Sequence, residues 1–365
     1  MRLLVQPDDG VGPLVKAIAG ARRIIEIVIF RFKQSEIERN LASAVSRGVA
    51  VHALIAHTNR AGEEGLRRLE MRLLAAGVTV ARSADEFARY HGKLLIVDRR
   101  DLYLLAFNLT RADIDHSRTF GVVTRRPAVV REAGRLFEAD TMRHPYEPGA
   151  ESLVVSPVNA RKLLSGFIEG AKKELLIYDP KVSDRAMVRL LEERAAAGVD
   201  IRLIGRLTRK IPGVKVYKLV QLRLHTRTMV RDGQVAFVGS QSLRAIELDE
   251  RREVGLIFRD PKAVAKLHQT FTGDWALAEE AAALAGEHAP ATEVAKKVAR
   301  LLAKDLPPVT PVLNGAVREI VGKAAAVELD SEEVEAVVMG AVKAAVKEVI
   351  SGMVEEAVEE DGGGA

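Results

Sequence analysis

Cysteine is absent from the 365 residues, which excludes disulfides, a thiolate nucleophile and sulfur-ligated zinc. Aromatic side chains make up only 4%, which leaves little of the basic-and-aromatic interleaving common in nucleic-acid binders. No apolar run is long enough to span a bilayer, and the opening MRLLVQPDDG reads as a strand entering a turn rather than as a signal peptide. A cytoplasmic location, soluble or peripheral at the inner membrane surface, is the expectation. HExxH, cysteine clusters and phosphate-binding glycine loops are also missing, which removes the zinc-hydrolase and P-loop readings. What remains is 48% hydrophobic, enough for a sizeable core and two or three domains. The net charge of +5 suits an anionic substrate or a membrane surface, but it is spread along the chain.

The chain is a duplication. Residues 3–55 and 153–205 align at an offset of 150, matching Pro7 to Pro157, Gly20 to Gly170 and Gly48 to Gly198. Each copy reads as a short strand, a helix, a buried apolar strand (IIEIVIF, ELLIYD), an amphipathic helix closed by glycine, and another strand. Strands alternating with helices predict an α/β architecture with a largely parallel central sheet. The first copy then inserts a helix over about residues 62–76, and beyond it the offset falls to 134. There Asp115 matches Asp249, Arg118 matches Arg252 and Gly121 matches Gly255. The expected repeats are residues 1–145 and 151–278, related by pseudo-two-fold symmetry with one half-site each. Residues 280–360, rich in Ala, Val, Glu and Lys, read as an all-helical appendage that packs on the core or on a second copy. Its helices are the expected place for homo-oligomer contacts.

Each copy carries the same ruler. His91, Lys93, Asp98 and Asn108 are repeated as His225, Arg227, Asp232 and Ser242, and Gly239-Ser240 stand where the first copy has Leu105-Ala106. Residues i and i+2 of a strand face the same side, so each histidine shares a pocket with its cation. The segments after each histidine read as hairpins, around RRD and around Asp232-Gly233, whose return arms bring Asn108 or Ser242 back toward it. Two histidines with two cations suit a phosphodiester: one imidazole attacks phosphorus, the other protonates the leaving oxygen, and the cations hold the non-bridging oxygens. His52, His57, His116, His144, His268 and His288, outside this pattern, read as structural.

On these residues the chain resembles the phospholipase D superfamily, over about residues 1–275. The resemblance implies a fold of two tandem phospholipase D-like α/β repeats. It also implies catalysis through a phosphohistidine that water or an alcohol resolves, with no metal and no cofactor. It implies that an acid from the second half serves the first-half histidine, so Glu253 would bind His91 and favour it as nucleophile, with His225 as general acid and later base. Lys93, Arg227, Asn108 and Ser242 would hold phosphate oxygens, with Ser240 in reserve, and Asp98 and Asp232 would support the site through backbone or basic groups. The sequence departs from the family pattern at Leu105-Ala106, Arg227 and Ser242. Thr119 stands opposite Glu253.

The expected activity is that of a phosphodiesterase or phosphatidyltransferase acting on phospholipid, in the manner of cardiolipin synthase. A nuclease with nucleic acid as substrate is the main rival, and a non-catalytic phosphate-binding or assembly protein is the other.

Overall fold

The computed structural model describes residues 1–58, 64–149 and 152–287. The helices expected over 291–306, 311–329 and 331–360, and any oligomer contact through them, lie outside the described residues. Met1–Glu279 forms one compact unit.

The first half runs β1 (Arg2–Gln6), α1 (Gly12–Ala19), β2 (Ile24–Ile29), α2 (Ser35–Ser46), β3 (Ala50–Ile55), α3 (Glu64–Ala75) and β4 (Thr79–Arg82). It continues through β5 (Arg89–Tyr90), β6 (Leu94–Val97), β7 (Asp101–Leu105), α4 (Arg111–Asp115), β8 (Ser117–Thr124) and α5 (Pro127–Met142). The second half runs β9 (Leu153–Val155), α6 (Ala160–Glu169), β10 (Glu174–Val182), α7 (Arg185–Ala196), β11 (Asp200–Leu207), β12 (Val214–Tyr217) and β13 (Arg223–Leu224). It ends with β14 (Arg227–Arg231), β15 (Val235–Gly239), α8 (Ala245–Asp249), β16 (Arg251–Arg252), β17 (Val254–Phe258) and α9 (Pro261–Glu287).

The two main sheets repeat each other strand for strand. One is ordered β4-β3-β2-β6-β7-β8-β1 and the other β12-β11-β10-β14-β15-β17-β9. Within each of these seven-strand orders the three strands at one end run parallel and the rest pair antiparallel, and β13 joins the first sheet by pairing parallel to β8. The expected largely parallel sheet is therefore corrected to a mixed one. The physical reason is the hairpin after each histidine, since a tight turn can only return a strand antiparallel.

Period-two alternation buries both faces of each sheet. In β6, Leu94 and Ile96 enter a core shared by the two halves, while Leu95 and Val97 enter the core beneath α1, α2 and α3. The second half has its own outer core under α6 and α7. The shared core joins the inner faces of both sheets with α5 and α9, including Phe120, Tyr178, Phe271 and Trp275. This packing brings the two motif hairpins together. Gly48 and Gly198, at φ 84° and 85°, close α2 and α7 in the left-handed conformation that their matched positions suggested.

Candidate active site

Each motif histidine follows a two-residue strand that pairs with the opposite half. β5 runs parallel to β16, and the His91 N–H donates to the Arg252 carbonyl at 2.7 Å. β13 runs parallel to β8, and the His225 N–H donates to the Arg118 carbonyl at 3.2 Å. Arg118 and Arg252 are one duplicated position, so each histidine is docked on the other half's copy of the same residue.

Those two arginines also tie the halves together by their side chains. Arg118 donates to both carboxylate oxygens of Asp274 at 2.7 and 3.0 Å and to the Gln6 carbonyl. Arg252 reaches Asp140 at 3.1 Å and the Ser156 carbonyl at 3.2 Å. The Tyr178 and Tyr90 hydroxyls donate to the same two aspartates at 2.6 and 2.7 Å. A backbone contact anchored by buried, hydrogen-bonded ion pairs fixes where each imidazole starts, although Arg252 Nε stays buried without a partner among the described residues.

Around His91 the site is buried, with the histidine 6% exposed. His91 Nδ1 lies 2.7 Å from Glu253 Oε2, and Lys93 Nζ lies 3.1 and 3.0 Å from the two ring nitrogens. The Phe30 ring meets the imidazole edge-on with centroids 4.6 Å apart. Burial, then the charges of Lys93 and Arg227, hold His91 well below its ordinary value, so the ring is neutral at neutral pH. Burial also pulls Lys93 down to about 7 and pushes Glu253 up to about 7. With Glu253 ionised, a proton on Nδ1 is held by the carboxylate and Nε2 keeps its lone pair.

His225 is built differently. Its Nδ1 lies 3.3 Å from Asp113 Oδ2, within ion-pair range but without a formed hydrogen bond. Burial holds its pKa well below the ordinary value against the opposing pull of Asp113. Thr119, which stands where the second half has Glu253, keeps its hydroxyl buried without a partner among the described residues. Arg227 approaches Glu247 Oε2 at 3.7 Å, and its Nε and Nη1 are buried without hydrogen bonds. Such groups are costly unless an anion meets them.

Asn108 and Ser242 are brought to the site but are engaged. Asn108 donates Nδ2–H to Asp113 at 2.7 Å and its backbone N–H to the same oxygen at 2.8 Å, leaving Oδ1 buried without a partner. Ser242 donates its hydroxyl to Asp179 at 2.6 Å, and its N–H goes to Glu247 at 2.8 Å. The Ser240 hydroxyl is held between the Val254 N–H at 3.1 Å and carbonyl at 3.3 Å, so it is no free donor in this arrangement. Asp98 and Asp232 lie at the far ends of their hairpins, not near the site. Each accepts the backbone N–H groups that open the adjacent central strand, Arg22 to Ile24 and Lys172 to Glu174. The expected support near the site is thus corrected to a structural clamp. A motif of seven residues along an extended hairpin arm carries its aspartate away from the histidine.

Four residues were missed in the sequence. Asp113 and Glu247 match at the offset of 134, and that repeated acid was the available signal. Glu247 gathers Arg244 and Arg251, each at 3.2 Å, besides Arg227. Asp179 ends an apolar strand where the first copy has Ile29, and a carboxylate in such a run marks a buried partner. Arg251, with no counterpart cation at Ser117, adds charge near His91. Among the described residues no group of three or more His, Asp or Glu side chains is arranged to hold a metal ion.

Both imidazoles feel the charges of Lys93 and Arg227, so the two half-sites converge on one cluster of two histidines, the buried Lys93, the partly buried Arg227 and Arg251, and their acids. Residues 14–141 and 164–275 match the protein family described as "Cardiolipin synthase, PLD-like domain". A cardiolipin synthase of Clostridium perfringens (strain 13 / Type A) is 23% identical over 291 residues, covering 63% of this chain and 60% of its own length. The chain thus spans about three-fifths of that relative. Among solved structures, a polyphosphate kinase from Porphyromonas gingivalis superposes with a TM-score of 0.64 at 20% identity, over 75% of this chain and 50% of that one. The phosphatidylserine synthase of Haemophilus influenzae Rd KW20 superposes with a TM-score of 0.57 at 9% identity, over 75% and 85%. These last two are likenesses of fold. With the family match covering both halves of the duplicated unit, the chain belongs to the phospholipase D superfamily, among its cardiolipin synthase-like domains.

Proposed function

We propose that the chain is a phosphodiesterase or phosphatidyltransferase that works through a phosphohistidine on His91. The observation that carries this reading is the buried 2.7 Å pairing of His91 Nδ1 with Glu253. The pairing leaves Nε2 as the nucleophilic atom and answers the positive charge that grows on the ring during attack. In the first step the Nε2 lone pair forms a bond to phosphorus while the bond from phosphorus to the leaving oxygen breaks. His225 delivers its proton to that oxygen. In the second step His225 takes the proton of an incoming water or alcohol, whose oxygen bonds to phosphorus as the P–N bond breaks. Lys93 and Arg227 neutralise the non-bridging oxygens throughout. Ser242 would donate to phosphate only by giving up Asp179, whereas Asn108 keeps a second Nδ2–H while bonded to Asp113.

Phospholipid is the substrate class that the named relatives suggest, reached from a membrane surface. No helix among the described residues is long and apolar enough to cross a membrane. A nuclease is the second reading, favoured by Arg223 and Arg244, which are 50% and 34% exposed and sit one carboxylate from His225 and Arg227. The test is mass spectrometry of alkaline-quenched protein after exposure to phosphatidylglycerol vesicles or to single-stranded DNA. An adduct on His91 with lipid supports the first reading, and an adduct with DNA alone supports the second. No adduct and no turnover with either would leave a protein that binds phosphate without reacting.

A further inference from the structure

His91 and His225 occupy the same position of a duplicated motif, yet the acids that serve them come from different positions. Glu253 reaches His91 from immediately after β16. Its duplicate, Thr119, brings no charge to His225. Instead Asp113, six residues earlier and on α4, stands 3.3 Å from His225 Nδ1. Asp113 is 3% exposed, and its carboxylate is held in place by other donors. Oδ1 takes the Arg223 guanidinium, and Oδ2 takes both the N–H and the side-chain amide of Asn108. The duplicate of Asp113 is Glu247, whose ion pairs are with Arg227, Arg244 and Arg251.

We infer that Asp113 is the positioning residue for His225, holding its Nδ1 proton and coupling it to the orientation of Asn108 through one shared carboxylate oxygen. The inference rests on the reading of His225 as general acid and base. An N–H bond from Nδ1 to Oδ2 leaves the other ring nitrogen facing the leaving group, and the carboxylate offsets the charge of the imidazolium. α4 supplies from the same half the acid that Thr119 does not, so each histidine is still served across the interface. The charged groups facing His225 are Asp113, Arg227, Arg223 and Lys93, and of these only Asp113 favours protonation. Burial alone would keep this imidazole neutral and useless as an acid.

The test has a part that needs no variant and no turnover. Nitrogen-15 spectra of the wild-type histidines should show neutral His225 protonated on Nδ1. Asp113→Asn should lower the His225 pKa by about one to two units. The alkaline limb of kcat/KM should move down with it, because the general acid must be protonated. Adding Thr119→Glu to Asp113→Asn should restore most of that shift, since the new carboxylate stands where Glu253 stands in the other half. Protonation of neutral His225 on Nε2 in the wild type would overturn the inference, even if the variant failed to fold. So would an Asp113→Asn protein that loses turnover evenly at every pH with the His225 pKa unmoved. Failure of the phosphohistidine reading would show separately, as no adduct on His91 while the tautomer and pKa still report on Asp113.

Discussion

Replacing Glu253 by glutamine should separate a carboxylate that stabilises charge from one that only fills space. The glutamine carbonyl can still accept from His91 Nδ1, so packing and tautomer survive while the charge goes. In the wild-type site that charge is 2.7 Å from a ring that becomes cationic as the P–N bond forms. A charge-assisted hydrogen bond contributes about 1.5–3 kcal/mol where a neutral one contributes about 0.5–1.5. The difference, about 1–2 kcal/mol, converts to a fall of roughly 5- to 30-fold in kcat. KM should hardly move, because Glu253 is fully buried behind the imidazole and would not touch substrate. The pH profile adds a second reading. Burial raises the Glu253 pKa to about 7, and the ionised form is the one that holds the Nδ1 proton, so wild-type activity should fall as pH drops through about 7. The glutamine variant has no such group, and its acid limb should move to lower pH. The assay is kcat and KM for a chromogenic phosphodiester between about pH 5 and 9, with the His91 adduct followed by mass spectrometry. A kcat within threefold of wild type with an unmoved acid limb would refute this reasoning, as would a loss confined to KM.

Arg227→Lys keeps the charge but removes the fork of donors, and should lower kcat/KM about tenfold, mostly through KM; unchanged kinetics would show that charge alone suffices. Asp98→Ala should leave kcat intact and cost about 1–2 kcal/mol by stranding the N–H groups of Arg22, Arg23 and Ile24, a melting-point loss of a few degrees. Burial is the largest single influence and raises the Asp98 pKa, but the three N–H groups together outweigh it and hold it below its ordinary value when folded. Its stabilisation is therefore full above the unfolded value and fades as pH falls through the folded one, and the variant's deficit in thermal melts should shrink there. Gly205→Ala should fail to accumulate as folded protein, because at φ 146° its methyl would stand 1.8 Å from the Asp179 carbonyl, whereas Gly198→Ala at φ 85° meets open space and should cost only about 1 kcal/mol; circular dichroism melts compare the two.

Much of this protein was legible in one dimension because a duplication prints its own ruler. Spacing put His91 beside Lys93 and His225 beside Arg227, since a strand repeats every two residues whatever it packs against. The glycines ending α2 and α7 were likewise local requirements. The parallel sheet was misjudged because alternation of strands and helices does not reveal how hairpins inside the same sheet direct their neighbours. Asp98 and Asp232 looked like site residues because they belong to the motif, yet an extended arm of seven residues delivers them to the opposite end of the sheet. Partners across the interface were harder still. Burial against the other half decides which acid meets which imidazole, and two copies of one sequence position, Asp113 and Glu247, end with different partners. Sequence by itself determined the repeats, the strands and the four motif residues that carry base and charge. Only the tertiary structure decided that Asn108, Ser242 and Ser240 are already hydrogen-bonded, that Asp179 is buried against Ser242, that Arg251 stands between Glu247 and Glu253, and that His225 has Asp113 rather than Thr119 for company. The physical reason is that periodicity is a property of a single strand, whereas desolvation and charge pairing belong to whatever surface closes over it.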